Sequence, residues 1–272
     1  MKHIHLFSLA VAALLAASCS DISYEDRLVE EEVGPIVPTT GESRTVLIED
    51  FTGQNCPNCP TATTVVENLE HFYSGHVIAV AIHSGMLGMG TPLFTKEGQE
   101  YFLKLGNENL PQPAVRVNRI GEPLCGGPEV QNRLPELVHT YAAQTTPVKI
   151  SDFTGTASES DANTYDVNFN ISTTQSLDAF VQVWVTENDF ISWQKMPDGS
   201  RNREFRHNNI FRTTLTPIDG DAVSLTEGTA AACHYNLAIN SAWTAANMYV
   251  VVIVSSKDGE MLQVKRFPLV NA

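Results

Sequence analysis

The chain has 272 residues, 43% of them hydrophobic and 18% charged, an ordinary globular composition with length enough for one large or two ordinary domains. A formal net charge of −14 argues against nucleic acid bound through its phosphates and against electrostatic docking on anionic lipid. At the N-terminus, Met1-Lys2-His3 is a short basic start and Ile4 to Ala17 is a mostly apolar run too short to span a bilayer comfortably. Leu15-Ala16-Ala17-Ser18-Cys19 closes it in small residues, so residues 1–18 read as an export signal and the mature protein works outside the cytoplasm, where disulfides persist.

That ending resembles a bacterial lipobox, with Ala16 where Leu is commonest, which implies cleavage before Cys19 and lipidation of Cys19. The alternative is an ordinary signal peptide that leaves Cys19 as a thiol. Residues 19–44 carry Asp21, Glu25, Asp26, Glu30, Glu31 and Glu32, then Gly34-Pro35 and Pro38, and read as a flexible acidic tether. Ser20 after the anchor fits outer-membrane transport by resemblance to other bacterial lipoproteins. The acidic cluster resembles surface-export signals of Bacteroidetes lipoproteins, although solvated tethers are often acidic anyway.

The chemistry concentrates in Val46 to Pro60, VLIEDFTGQNCPNCP. An apolar run predicts a buried strand that stops at Thr52-Gly53, and from Pro60 the residues Ala62, Val65, Val66, Leu69, Phe72 and Tyr73 recur at helical spacing. Cys56 and Cys59 therefore sit where a strand hands over to a helix N-terminus. Unpaired amides and the helix dipole there favour a thiolate, which makes Cys56 the candidate nucleophile and Cys59 the residue that resolves a mixed disulfide. The blander readings are a structural disulfide or half of a zinc site. No second CxxC, CxxH or HxxxH follows, so neither a metal nor another cofactor is expected.

Val77 to Ile82 is a continuous apolar run, the pattern of a strand covered on both faces. His83 follows it at the edge where Cys56 belongs, either contacting a ligand or shuttling a proton, or satisfied by loop backbone. Ser84 to Pro92 is Gly- and Met-rich, an adaptable lip over the site or a mobile connector. Phe94, Tyr101, Phe102 and Leu105 predict a second helix, Ala114 to Asn118 a strand, and Ile120-Gly121-Glu122 a hairpin turn into Pro123 to Cys125. A last helix, opened by Pro128, carries Val130, Leu134, Leu137, Val138 and Tyr141, with Pro135 predicting a kink or a later start.

The order strand, helix, strand, helix, hairpin, helix, with CxxC at the first strand-to-helix turn, resembles a thioredoxin-like domain over about Arg44 to Tyr141. Asp50-Phe51 stands six residues before Cys56, as the buried carboxylate and its Phe do in thioredoxins, and Pro113 lies where that family has a cis-proline facing the disulfide. The resemblance implies that Asp50 helps deprotonate Cys59 and that Pro113 shapes a substrate groove. Glu49 beside Asp50 leaves open which carboxylate points inward. Asn55 replaces the usual aromatic before the first cysteine and the intervening pair is Pro-Asn, departures that bear on the reduction potential.

Beyond Pro147 the pattern changes to period two. Asn163 to Ile171, Asp178 to Val185, His207 to Leu215, Cys233 to Ile239, Met248 to Ser255 and Met261 to Phe267 read as strands, separated by turns such as Pro197-Asp198-Gly199 and Lys257-Asp258-Gly259. The expected architecture is an α/β thioredoxin-like domain (45–146) followed by an all-β immunoglobulin-like sandwich (147–272). Arg201, Arg203, Arg206 and Arg212 form a basic cluster in an acidic chain. Arg206 and Arg212 either clamp an anionic ligand or pair with nearby carboxylates. Cys125 and Cys233 are either free thiols or a link between the domains.

At whole-chain level the segments TGQNCPNCP, PAVRVNR and RHNNIFR resemble the Bacteroidetes outer-membrane lipoproteins named after a twenty-eight-kilodalton surface antigen. This implies an outer-membrane address, periplasmic or cell-surface, with a membrane partner through the lipid anchor and an adhesive or redox role. The leading expectation is a thiol–disulfide oxidoreductase acting on exported or host proteins. The alternative is a non-catalytic surface adhesin or binding protein that uses the thioredoxin-like fold as a scaffold. No feature requires an oligomer.

Overall fold

The structure is a computed structural model that describes residues 34–161 and 163–270. The export signal, Cys19 and most of the acidic tether lie outside the described residues. In chain order the first half contains β1 (Glu42–Ser43), β2 (Val46–Thr52), α1 (Cys59–Phe72), β3 (Val77–His83), α2 (Gly85–Gly88), α3 (Lys96–Leu103), β4 (Ala114–Val117), β5 (Leu124–Cys125) and α4 (Gly127–Ala142). The second half contains β6 (Thr145–Thr146), β7 (Val148–Ala157), β8 (Thr164–Thr173), β9 (Leu177–Glu187), β10 (Phe190–Lys195), β11 (Arg201–His207), β12 (Ile210–Thr214), β13 (Asp221–Leu225), β14 (Ala231–Ala238), β15 (Met248–Ser256) and β16 (Met261–Pro268).

Among the described residues, the largest sheet has nine strands in the order β16-β15-β9-β12-β3-β2-β4-β5, with β13 pairing on β9. β2 lies parallel to β3 and antiparallel to β4, so the first-half strands form one end of the sheet. β12 then joins β3 in parallel at Ile210 and Ala81, and β9 antiparallel on its other side. A three-stranded sheet β14-β8-β7 and the hairpin pairs β10-β11 and β1-β6 complete the strands.

Every residue of β2 is buried because the strand is covered on both faces. Alternate side chains of a strand point to opposite sides, so Val46 and Ile48 meet Ala62 and Val66 of α1 and Val130, Leu134 and Val138 of α4. Leu47 and Phe51 face the other way, into a second cluster that holds Phe102 of α3 together with Trp184, Phe211, Val251 and Ile253. β9 and β15 are double-sided in the same manner. Val181, Val183, Val250, Val252 and Val254 pack on Val167, Phe169 and Ile171 of the three-stranded sheet. Burial on both faces explains why Met248 to Ser255 reads as a nearly unbroken apolar run instead of an alternating one.

Two expectations change. Pro135 sits inside α4, but the helix begins at Gly127, so its start is not delayed. The single strand expected from His207 to Leu215 is two elements: β11 ends at His207, Asn209 adopts a left-handed φ of 56°, and β12 begins at Ile210. Asparagine tolerates that conformation better than most residues, and the chain uses it to leave the hairpin and enter the main sheet. Strands β7, β10, β11 and β13 are not separable by periodicity: β11 is mostly polar and exposed, whereas β10 mixes apolar and polar residues and is partly buried.

The face of the first-half strands that carries Leu47, Ile78, Val80 and Ile82 is closed partly by residues of the second half. A fragment ending at residue 146 would present that face to water and leave β3 as a bare edge. Calorimetry of such a fragment is expected to show no cooperative transition, whereas residues 34–270 should unfold in one; a sharp transition for the fragment would sink this expectation.

Candidate functional site

β2 delivers Asp50, Phe51 and Thr52 to one end of the main sheet, and the chain then turns through Gly53 to Asn58 before α1 begins at Cys59 with Pro60 in its first turn. The turn is held by the Cys56 N–H donating to the Gly53 carbonyl at 3.0 Å and the Asn55 N–H donating to Leu87 at 3.0 Å. Gly53 has no substitute here, since a Cβ would lie 2.4 Å from the Leu87 carbonyl carbon. Cys56 and Cys59 form a disulfide with a Cα–Cα distance of 5.4 Å. Both are buried, Cys56 at 0% and Cys59 at 1% exposure.

Asp50 and Glu49 are both buried but face opposite sides, as neighbours on a strand must. Glu49 is ion-paired to Arg119 at 2.8 Å. Asp50 instead lines a small pocket of about 30 Å³ shared with Cys59, His83, Gln194 and His207. Its Oδ1 has no hydrogen-bond partner, and burial pushes its carboxyl up from 3.8 to about 7. Asp50 is therefore the carboxylate turned toward the cysteines.

The Gln112–Pro113 peptide bond is cis, and Pro113 precedes β4, whose Ala114 pairs with Phe51. The Gln112 side-chain amide donates to the carbonyls of Thr52 and Ser84, both at 2.9 Å, and ties this segment to the ends of β2 and β3. His83 ends β3 buried, its ring 5.5 Å from that of His207. Burial holds His83 well below the usual histidine value, with the charge of His207 and then of Arg212 adding to the effect. Burial likewise lowers His207 to about 4, so both rings are neutral at pH 7.

The residues that sequence reasoning missed come from the second half. The hairpin β10-β11 lies across the cysteine turn. Gln194 donates from its amide to the carbonyls of Gly53 at 3.2 Å and Cys56 at 3.0 Å, and the Lys195 N–H donates to the Gln54 carbonyl at 2.9 Å. Gln54 replies with bonds to Ser192 Oγ at 3.1 Å and the Trp193 carbonyl at 2.5 Å. The turn Pro197-Asp198-Gly199 announced a hairpin, but no signal in the sequence says on which surface it docks.

The basic cluster divides. Arg206 lies on the surface paired with Asp189. Arg212 is buried, donates from Nε to Glu187 at 2.7 Å and stacks over Phe190 at 4.5 Å, which keeps it from any external anion. Cys125 and Cys233 are free thiols and do not join the halves. Among the described residues, no three His, Cys, Asp or Glu side chains converge to hold a metal ion, and no helix is long and apolar enough to cross a membrane.

Comparison with known proteins gives two kinds of likeness. Residues 107–271 match the family model described as outer membrane protein Omp28, a span that includes Pro113 and the covering hairpin but not Cys56 or Cys59. Among solved structures, HBP35 of Porphyromonas gingivalis superposes with a TM-score of 0.64 at 14% identity, over 84% of this chain and 76% of that one. A protein of Agrobacterium tumefaciens superposes with a TM-score of 0.51 at 17% identity, over 86% of this chain and 98% of that one. At these identities the likeness is one of fold. No curated protein sequence matches the chain.

Asp50 binds its proton more tightly folded than unfolded, so the stability it contributes is full below pH 3.8 and is lost as pH rises through about 7. Asp50→Asn removes this slope. Relative to the wild type, the variant is expected to gain on the order of 4 kcal/mol between pH 3 and pH 8, read from urea unfolding at each pH. Parallel stability curves for the two proteins would mean that Asp50 is not held protonated by burial.

Proposed function

The chain belongs to the Omp28 family of outer membrane proteins, and from that outer-membrane address we propose that it is a thiol–disulfide oxidoreductase acting on exported or host proteins. In this reading residues 45–146 are a thioredoxin-like module and residues 147–272 an immunoglobulin-class β-sandwich built onto the same sheet. Cys19 carries the lipid anchor, on the periplasmic or the cell-surface face. The observation that carries the proposal is Asp50: a buried carboxylate with an unpartnered oxygen, in the same pocket as Cys59. A carboxyl whose pKa is near neutrality is suited to take a proton from a thiol and give it back.

The reaction starts from the reduced pair. Cys56, as thiolate at the turn before α1, attacks a sulfur of a client disulfide; a mixed disulfide forms and one client thiolate leaves. Cys59 gives its proton to Asp50, attacks the Cys56 sulfur and closes the internal disulfide. The second client thiolate leaves and takes a proton from solvent. Two electrons pass from the cysteine pair to the client disulfide, and a dithiol of another exported protein restores the pair by the reverse exchange, itself leaving as a disulfide. Pro113, at the same end of the sheet, borders the place where a client strand would lie.

A second reading rests on a specific observation. Both cysteines are buried beneath the hairpin, which favours a static disulfide in a protein that binds its partners through other surfaces. Titration in glutathione buffers of graded potential separates the two. The expected result is a reversible two-electron midpoint at Cys56 and Cys59 between about −300 and −120 mV. Cys59→Ser should in addition accumulate mixed disulfides with client proteins. A pair that stays oxidised throughout, with no trapped client, would leave the binding reading in possession.

A further inference from the structure

Three buried polar atoms without hydrogen-bond partners belong to residues that line the pocket behind Cys59. They are Asp50 Oδ1 from β2, His83 Nδ1 from β3 and His207 Nε2 from β11, each on a residue that lines this pocket and is buried. Burying one such atom unpaired is costly, and a partner held in this pocket would relieve that cost for the atoms it reaches. The pocket, about 30 Å³, exceeds the space one water needs, and a water takes two to four polar neighbours. Two of the atoms come from the first half of the chain. The third is supplied by a strand whose hairpin is pinned to the cysteine turn through Gln194.

We propose that His207 is a positioning residue for proton transfer at Cys59: with Asp50 and His83 it seats one water behind the disulfide, and through that water the proton passes from Cys59 to Asp50 and afterwards leaves it. The inference rests on the redox reading above and adds a residue to it. In the resolving step the Cys59 S–H bond breaks, the proton goes to Asp50, and the Cys59–Cys56 bond forms as the client thiolate departs. Asp50 must then lose that proton before the next cycle, and a water between two neutral imidazoles can accept and pass it on. The other ionisable groups near the pocket are arranged so as not to charge the rings. Arg212 on β12 disfavours protonation of both histidines and is itself matched by Glu187 on β9. On α1, Glu67 also lines this pocket, where it accepts from Asn208 at 2.9 Å, and Glu70 accepts from Arg266 at 3.0 Å.

The test uses the reduced full chain with Cys19→Ser, Cys125→Ser and Cys233→Ser, mixed in stopped flow with the chromogenic disulfide dithiobis-nitrobenzoate across pH 5 to 9. Attack by Cys56 releases the first nitrothiolate and resolution by Cys59 the second. His207→Leu is expected to lower the ratio of the second rate to the first about tenfold and to flatten the pH dependence of the second phase near neutrality. His207→Gln, which keeps a hydrogen-bonding atom at the pocket, should recover part of that loss. An unchanged ratio in His207→Leu would overturn the proposal, as would Leu and Gln variants that slow both phases alike, the mark of a packing role. If His207→Leu fails to fold, His83→Gln approaches the same water from β3, and an unchanged ratio there overturns it equally. A wild type that shows a first phase but no second would instead remove the redox reading itself, and this inference with it.

Discussion

The placement of β12 between β3 and β9 is the constraint on which the remaining structure depends. It is a short strand, yet it closes the gap between the four first-half strands and those of the second half. Its Phe211 packs edge-on against Tyr101 of α3 and Trp184 of β9, and the Trp184 indole donates to the Tyr101 hydroxyl at 2.8 Å. Aromatic side chains of this size dominate the energetics of a core, and here one triad takes a member from each of three elements separated widely in sequence. The two halves are thus joined by a shared core cluster and a shared sheet, not by a linker.

The position of the hairpin over the cysteines follows from that of β12. β11 runs directly into β12 through Asn208 and Asn209, and Asn209 is fixed at the edge of β3 by its carbonyl accepting from Ala81 at 2.8 Å. Asn208 donates to Glu67 of α1. Once these contacts set where the chain leaves the main sheet, the preceding strands have little freedom, and Gln194 arrives within hydrogen-bonding distance of the Cys56 carbonyl. The same geometry buries the disulfide and brings His207 to the pocket. A family likeness that spans the second half but stops short of the CxxC turn therefore still includes the part of the chain that covers it.

What the sequence disclosed and what it withheld divide along contact distance. The strand ending in Asp50, the helix opening at Cys59 and the strand ending in His83 were legible because each is set by local pattern: double-sided burial gives unbroken apolar runs and Pro60 marks a helix start. Facing was legible only in part, since Glu49 and Asp50 are adjacent acids in the same apolar run and only the third dimension shows one meeting Arg119 and the other lining a pocket with Cys59. Gln54, Gln194 and His207 were out of reach. Their roles depend on contacts across well over a hundred residues for Gln54 and Gln194, and glutamine in an exposed-looking strand carries no pattern that predicts burial. The arginine cluster misled in the opposite direction, because adjacency in sequence placed Arg206 and Arg212 together while the Asn208-Asn209 turn sends one to the surface and the other into the sheet.

A folded chain does not keep an unpartnered carboxylate and two uncharged imidazoles in one small pocket without some compensation. Each unsatisfied buried polar atom costs about 1–3 kcal/mol, and the stability of a whole domain is about 5–15 kcal/mol. The apolar cluster of Trp184, Phe211, Phe102 and their neighbours works against that cost, and it is completed only by the second half. The first half standing alone would have to carry the same polar pocket without the part of that cluster which the second half supplies. The β-rich half thus has a structural role apart from any ligand it binds: it stabilises the sheet from which Asp50 and His83 project, and it closes their pocket with a strand of its own. The same closure that buries Asp50 and raises its pKa also buries Cys56, so the contacts that perturb the carboxyl are the ones that withdraw the cysteine from solvent.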